Sequence, residues 1–474
     1  MWRCQVAEQS VNFGGKAVVI GASMGGLLAA RALADHFEQV TLLERDTFPP
    51  VGKNRKGVPQ GKHTHVLLGL GREIMECYLP GLTQELTQLG AVRIADASLN
   101  VRWFNEGGFH KPGASGFPAV GVSRPTLEAA VRARVLALPN VQAIEDCDVR
   151  GLVTAAGNGR VTGVRLVRRQ EGTAEESMAA DLVVDAGGRG SRSPSWLQAL
   201  GYERPVEDEV RIDIGYTTCF FRRHRDHTSG IHGIVVMPTP PDKRMAVLLP
   251  QDGERWVVTI GGYLGHHAPT DLAGFLEAAK ELPAVDIYNR IKDAQPLTEP
   301  VAYKFRANLR RRYEKLERFP NGYVVFGDAL CSFNPIYGQG MTVAAMEAAI
   351  LDECLAAGRG RLAKRFFSKA SKIIDESWRA AVGNDLRFPE VEGVRTPMQR
   401  FLNWYIQKLH VAAHNDSQVS IAFLKVINML APAPSIMHPR IVLRVLKGNL
   451  LAGRDRASQS ETQFTPLEKS GKRV

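Results

Sequence analysis

Lys16-Ala-Val-Val-Ile20-Gly21-Ala-Ser23-Met-Gly25-Gly26-Leu27-Leu-Ala-Ala-Arg31-Ala-Leu-Ala34 reads as a buried strand, a tight turn and a helix from Leu27 to Ala34. The unbroken apolar run marks the strand, and Gln39-Val-Thr-Leu-Leu43 beyond the helix marks a second one, ending on Glu44. This is a βαβ unit carrying a dinucleotide fingerprint in which Ser23 takes the place of the middle glycine. Gly21 makes the turn, Ser23 is small enough for a pyrophosphate to approach, and Gly26 lets the helix pack on the strand. Glu44 stands where an acid accepts from ribose hydroxyls, which favours FAD or NAD over NADP.

Val324-Val-Phe-Gly-Asp328-Ala-Leu-Cys-Ser-Phe-Asn-Pro335-Ile-Tyr-Gly338-Gln339-Gly340-Met341-Thr-Val-Ala-Ala-Met346 has the composition of a wall around a flat, charged cofactor. It begins as a buried strand. Asp328, just past the strand, is placed to accept from a polyol hydroxyl. Gly338 and Gly340 lack side chains, so backbone N–H groups can approach an anion, and a helix opening near Met341 adds its positive end. A third stretch, Asp181-Leu-Val-Val-Asp185-Ala-Gly187-Gly188-Arg-Gly190, is a buried strand that ends in an acid and a glycine run, the kind of edge where α/β sheets bind ligands. Arg45 and Arg55, in the loop after the second strand, are cofactor-side candidates. So is Arg124, which follows a helix N-cap at Ser123 and precedes a first-turn proline.

From 205 to 300 the pattern changes to strands of period two separated by turn clusters, an antiparallel sheet inserted between cofactor segments. Tyr216, Met237 and Phe333 are candidate pocket-lining residues. The basic run Arg306 to Arg318 reads as a solvated face. Residues 360–450 are helical, with apolar spacing at 399–409 and 419–430 that suits packing onto the sheet, and the polar tail from Gly453 reads as disordered. His63-x-His65 has no further ligand nearby, so no metal site is expected. The six scattered cysteines read as reduced thiols of an intracellular, cytoplasmic protein. The net charge of +11 suits anionic partners, but no nucleic-acid-binding signature accompanies it. No run is long enough to span a bilayer, and a weak membrane-surface contact of the C-terminal helices stays open as the alternative to packing onto the sheet.

Taken in order, Gly21-x-Ser23-x-x-Gly26 with Glu44, Asp185-Ala-Gly187, and Gly327-Asp328 with Pro335 and Gly338-Gln339-Gly340-Met341 resemble the single-component FAD-dependent monooxygenases of the para-hydroxybenzoate hydroxylase type, over roughly residues 16–355. The resemblance implies an α/β fold: a Rossmann-like FAD-binding domain (15–204 and 301–355), an inserted, mostly antiparallel substrate sheet (205–300) and a helical C-terminal region (356–450), between a flexible start (1–14) and a disordered tail (451–474). It implies that Asp328 holds the ribityl chain and that Pro335 and Gly338 to Met341 face the isoalloxazine. Arg55 and Arg124 would lie near the flavin or pyrophosphate, and Asp185 and Gly187 would support the cofactor.

It further implies an NAD(P)H- and O2-using monooxygenase that hydroxylates or epoxidises a hydrophobic small molecule through a flavin C4a-hydroperoxide. The protein chiefly binds and orients, so the sequence names no catalytic acid or base. The Val58-Pro-Gln60-Gly-Lys-His63 stretch and the helical C-terminal region look closer to bacterial polyether-epoxidase-type members. A flavin-dependent reductase of the same fold, acting for example on a prenyl chain, is the rival reading. A flavin halogenase would be expected to carry tryptophans two apart, and none here are so spaced.

Overall fold

A computed structural model describes residues 14–169, 174–224 and 230–462, with side chains as far as Leu451. Apart from Gly14, the expected flexible start lies outside them, as does the tail from 463.

The first strand β1 (Lys16–Ile20) passes into helix α1 (Met24–Ala34) and strand β2 (Gln39–Leu43). The helix starts three residues earlier than its apolar run suggested, because the Met24-Gly-Gly turn is itself helical. Strand β3 (Val101–Asn105) leaves for a second sheet. Helix α2 (Arg124–Leu136) is capped by the Ser123 side chain, which accepts from Thr126 N, and strand β4 (Val141–Ile144) follows. Strand β5 (Leu182–Asp185) and the later strand Tyr323–Val325 complete a five-stranded parallel sheet in which β1 lies between β5 and β2. The register is informative. Ile20 pairs with both Leu43 and Asp185, and Asp185 pairs with Val325. Gly21, Glu44, Ala186 and Phe326 therefore leave the sheet side by side, at the carboxyl edge where open α/β sheets bind ligands.

The second sheet has eight strands. Its centre is β6 (Glu207–Arg222), β7 (Gly233–Val236), β8 (Arg244–Gln251) and β9 (Arg255–Gly262), followed in the chain by β10 (Val301–Arg311). Neighbours pair antiparallel except β3 with β7, which run parallel. The sheet thus reaches beyond the expected 205–300 at both ends. It recruits β3 from before that stretch and β10 and Cys331–Ser332 from after it.

The basic run is corrected by the same pairing. Arg306, Lys315 and Arg318 are exposed as expected, but Arg310 and Arg311 lie at the interior end of β10. Arg310 is 1% exposed and pairs with Asp375 and Glu314. Arg311 pairs with Glu207 across β6, and Arg312 with Asp208. Charges in a run were legible, but apart from Glu314 within the run their acidic partners lie about a hundred residues upstream, at Glu207 and Asp208, or about sixty downstream, at Asp375.

Tyr323–Val325, here β11, leads through Gly327 into helix α3 (Gly340–Ala356). The chain then forms α4 (Leu362–Asp385), α5 (Pro397–Ala413), α6 (Ser417–Ile427) and α7 (Pro439–Thr462). Helix α7 continues past Gly453 through the polar segment read as disordered; its Arg, Ala and Gln content is compatible with a helix. The cysteine reading also needs correction. Cys77 is disulfide-bonded, while Cys147, Cys219, Cys331 and Cys354 are free and buried.

Candidate cofactor and substrate site

Of the residues singled out in the sequence, all except Gly26 line one cavity of about 1610 Å³. That exceeds the roughly 300–1,000 Å³ of ordinary ligand pockets, leaving room for a dinucleotide and a second molecule. Gly26 acts behind the wall. A Cβ there would run into Gly21 O, so the glycine sets how closely α1 approaches β1. Gly21 itself has φ +91°, and a Cβ on it would press on Ala186 O.

The edge of the parallel sheet forms the charged end. Glu44 accepts from Ala22 N at 2.8 Å and Asp46 N at 3.0 Å, and pairs with Arg55 at 2.6 Å. Arg55 also reaches Glu128 at 3.2 Å. Arg124 donates to Glu128 at 2.8 Å and to Ser23 Oγ at 2.9 Å, and Ser23 Oγ donates to Glu128 at 3.1 Å. Five residues from four segments thus form one buried lattice under the start of α1. Burial alone would raise the pKa of Glu128, but Arg124 and Arg55 hold it below the usual value. Sequence reading missed Glu128; its signal was the spacing of four from Arg124 on one helix face. Arg45 is exposed and lines the same cavity, as do Arg150 and Arg169.

Asp185 reaches the cavity wall at the end of its strand. Its carboxylate turns inward and accepts from Gly187 N at 2.8 Å, from Ser191 Oγ at 2.6 Å and from Ser193 Oγ. It shapes the glycine loop, and the loop, Gly187 included, faces the cavity.

Asp328 is exposed to the cavity, yet protein surrounds it closely enough that burial raises its pKa against the pull of Arg124 and Arg189. Behind it, Gly327 N donates to Glu347 Oε2 at 2.6 Å, and burial pushes the Glu347 pKa up to about 8. Pro335–Tyr337 make one tight turn, which ends at Gly338 in the left-handed region, φ +64°. Helix α3 then starts without a side-chain cap. Its first N–H groups have no intrahelical partner. Gln339 Oε1 and Thr342 Oγ1 beside them are buried without a hydrogen-bond partner in the fold. Unspent polar atoms and a helix N-terminus at a cavity wall fit the polar edge of a flavin ring.

A second network adjoins this turn. Asp385, at the end of α4, is fully buried and has no cation partner among the described residues. It accepts from Tyr263 OH at 2.6 Å, Asn308 Nδ2 at 2.7 Å, Asn334 Nδ2 at 2.8 Å and Tyr337 OH at 3.1 Å. The two tyrosine hydroxyls lie 2.9 Å apart, and both tyrosines line the cavity. Burial raises the pKa of Asp385, although these donors oppose the rise, and it lifts both tyrosines well above their ordinary value. Asn334 and Tyr337 stood inside a stretch already singled out; Asp385 gave no signal.

The cavity also has apolar lining from Trp103, Phe117, Met245, Phe423, Leu424 and Met437, and Tyr216, Met237 and Phe333 line it too. His410 on this wall is held 3.0 Å from His110 Nε2 and kept neutral by burial and by its neighbours His110 and Arg387. His63 is occupied otherwise, with Nδ1 2.9 Å from Thr218 Oγ1. Among the described residues no group of His, Cys, Asp and Glu is arranged to hold a metal ion.

No family model matches the chain. Protein Rv3254 of Mycobacterium tuberculosis is 35% identical over 453 residues, 92% of this chain and 94% of that protein. The chain belongs to the family of Protein Rv3254. Glycine oxidase of Pseudomonas putida matches a shorter part, 34% identical over 166 residues, 34% of this chain and 42% of that enzyme. Among solved structures, the p-nitrophenol 4-monooxygenase PnpA of Pseudomonas putida superposes with TM-score 0.62 at 16% identity, covering 89% of this chain and 99% of PnpA. The flavin-dependent brominase Bmp2 superposes with TM-score 0.61 at 14% identity, covering 94% of this chain and 100% of Bmp2. At such identities the likeness carries the fold: this member of the Rv3254 family has the α/β architecture of flavin-dependent monooxygenases and halogenases, with a helical C-terminal region.

Proposed function

We propose that this protein is an FAD-dependent oxidoreductase that uses NAD(P)H and O2 to hydroxylate or epoxidise a hydrophobic small molecule. One observation carries the reading. Glu44, the glycine loop after Asp185 and Asp328 follow β2, β5 and β11 of one parallel sheet and leave it at the same edge, on the wall of a cavity that also has apolar lining. A cofactor bound along that edge would have its reactive end toward the apolar lining.

In this reading Glu44 takes ribose hydroxyls; its oxygens retain lone pairs beyond the contacts already made. Ser23, Arg45, Arg55 and Arg124 stand on the pyrophosphate side, Asp328 on the ribityl side, and Pro335 with Gly338, Gln339, Gly340 and Met341 against the isoalloxazine. Reduced FAD supplies the oxygen chemistry. The protein's own part is to exclude water and orient the substrate. Helices α5 and α6 line the cavity, and Trp103, Met237 and Phe423 offer the substrate an apolar surface. On that part of the wall His410 is held neutral and its neighbour Arg387 is paired with Glu106, which suits an uncharged substrate such as an alkene, as in the polyether-epoxidase-type members.

The test is to purify the protein, record its flavin spectrum, and follow NAD(P)H oxidation with and without oxygen. Oxygen-dependent NAD(P)H consumption by a yellow protein is the expected result. A flavin that NAD(P)H reduces but oxygen leaves untouched would move the assignment to a reductase. A protein that takes up no FAD would overturn the reading.

A further inference from the structure

Helix α5 is apolar in more directions than packing requires. Tyr405, Leu409, Ala412 and Ala413 enter the core with α6 and α7. Met398, Leu402 and Ile406 line the cavity. Phe401 and Trp404 point to neither; their rings lie 5.9 Å apart and Trp404 is 49% exposed. Helix α7 repeats the pattern. Val445 is buried, whereas Leu443, Leu446, Leu450 and Leu451 are exposed, Leu450 to 72%. The two helices lie against each other: Asn449 Nδ2 donates to Lys408 O at 2.8 Å, and a Cβ on Gly448 would press on Ala412. The exposed rows therefore approach one another, with Trp404 one turn from Lys408 and Leu450 next to Asn449. Scattered exposed apolar residues are ordinary, but rows at helical spacing on two adjoining helices mark an interaction surface.

The charges select the partner. Between Pro397 and Ala413, and between Pro439 and Leu451, there is no acid, whereas Arg400, Lys408, Arg440, Arg444 and Lys447 supply five cations. One of them, Arg444, is paired with Asp416. A second copy docked here would set cations against cations. The closing residues 463–474, with three cations and one acid, are likewise ill matched. A surface that is apolar in the middle and basic around it, its neighbouring acid Asp416 taken up by Arg444, fits the headgroup boundary of an anionic bilayer.

We propose that the outer faces of α5 and α7 dock this protein on anionic lipid bilayers, seated in the headgroup boundary. No helix among the described residues is long and apolar enough to cross a membrane. Because Met398 lies on both the exposed row and the cavity wall, docking brings the cavity's α5 side to the lipid. The inference does not depend on the cofactor or the reaction.

The experiment is co-sedimentation of the full chain with phosphatidylcholine vesicles, and with vesicles that also contain phosphatidylglycerol, at low and high salt. The expected result is binding to the anionic vesicles that weakens with salt. The double variant Trp404→Glu with Leu450→Glu should lower that binding by at least about tenfold, since interfacial affinity scales with buried apolar area. Thermal unfolding of the variant, expected to be unchanged at these exposed positions, separates lost docking from lost fold. The pair Arg440→Glu with Lys447→Glu tests the charge component independently and should weaken anionic binding without touching the apolar row. Absence of binding to anionic vesicles overturns the proposal. So does wild-type-like binding by both double variants. A concentration-dependent dimer that the Trp404→Glu variant abolishes would overturn it in favour of a second copy on this face. Vesicle binding that appears only after residues 463–474 are removed would overturn it in favour of the tail.

Discussion

The two ends of the cavity solve the problem of burying acids in opposite ways. At the charged end, Glu44 and Glu128 are buried against Arg55 and Arg124, and the two arginines hold Glu128 below its usual pKa. At the far side of the Pro335 turn, Asp385 is buried among two tyrosines and two asparagines with no cation, and its pKa is raised by burial. The first arrangement prepares fixed charges for an anionic ligand. The second is a network of hydrogen-bond donors gathered on one acid, beside the place where chemistry is proposed. Glu347 belongs with the second in kind, a buried acid answered by one backbone N–H, although it underlies the Gly327-Asp328 loop.

Removing Arg55 would test the charged end most severely. Arg55→Ala leaves two buried carboxylates short of a partner, and breaking a buried pair from one side costs about 3–5 kcal/mol. Chemical denaturation should show that loss, together with failure to retain flavin on gel filtration. A loss under about 1 kcal/mol would mean that water already screens the site and that the ends do not differ as described.

Glu347 gives the next largest effect, read against pH. The folded protein holds its proton to about pH 8, whereas the unfolded chain releases it near 4.5. Between those values the unfolded state binds fewer protons, so stability falls as pH rises. Glu347→Gln keeps an acceptor for Gly327 N and carries no titrating proton. It should flatten this part of the stability profile, and near pH 8 it should exceed the wild type by a few kcal/mol at most. Parallel profiles for the two proteins would show that Glu347 is ionised in the fold.

Much of the charged end was legible because its chemistry is local in sequence. Turn, helix start and strand-end acid fall within one βαβ unit, and Gly338 to Met341 within one loop, so composition and spacing expose them. Glu128 was recoverable from its spacing to Arg124. The Asp385 network was not, since its members come from β9, β10, the Pro335 turn and α4, and a lone Asp near a helix end looks like any other. The misreading of Arg310 and Arg311 has the same origin: a basic run announces its charge but not the acids that neutralise it. Asp185 was placed at the right edge, yet its inward turn depended on Ser191 and Ser193, which looked like loop filler. The sheet's extent was misjudged because β3 and β10 join by pairing across the chain, which no local pattern records.

Asp385→Asn is a milder change, because it removes an acceptor without stranding a charge. Asn offers one oxygen where the carboxylate offered two, and its amide would face a donor already present. About 1–3 kcal/mol of destabilisation is expected by thermal or chemical unfolding. A loss near that of Arg55→Ala would show that Asp385 is ionised and paired after all.

The smallest effect discriminates best within the network. Tyr263 OH donates to Asp385 at 2.6 Å and accepts from Asn334 Nδ2 at 3.0 Å, whereas Tyr337 OH has longer contacts to the same carboxylate and to Tyr263. Tyr337→Phe should cost about 1 kcal/mol and Tyr263→Phe somewhat more, each a single hydrogen-bonding hydroxyl. The two hydroxyls share Asp385 Oδ1, so the double variant should cost less than the sum, because the first loss already weakens what the second removes. Simple additivity would mean that the tyrosines act separately and that the network is only a set of neighbours. Coupling that disappears in Asp385→Asn would tie it to the carboxylate, making the second end of the cavity one unit, as the lattice of Ser23, Arg55 and Glu128 is at the first.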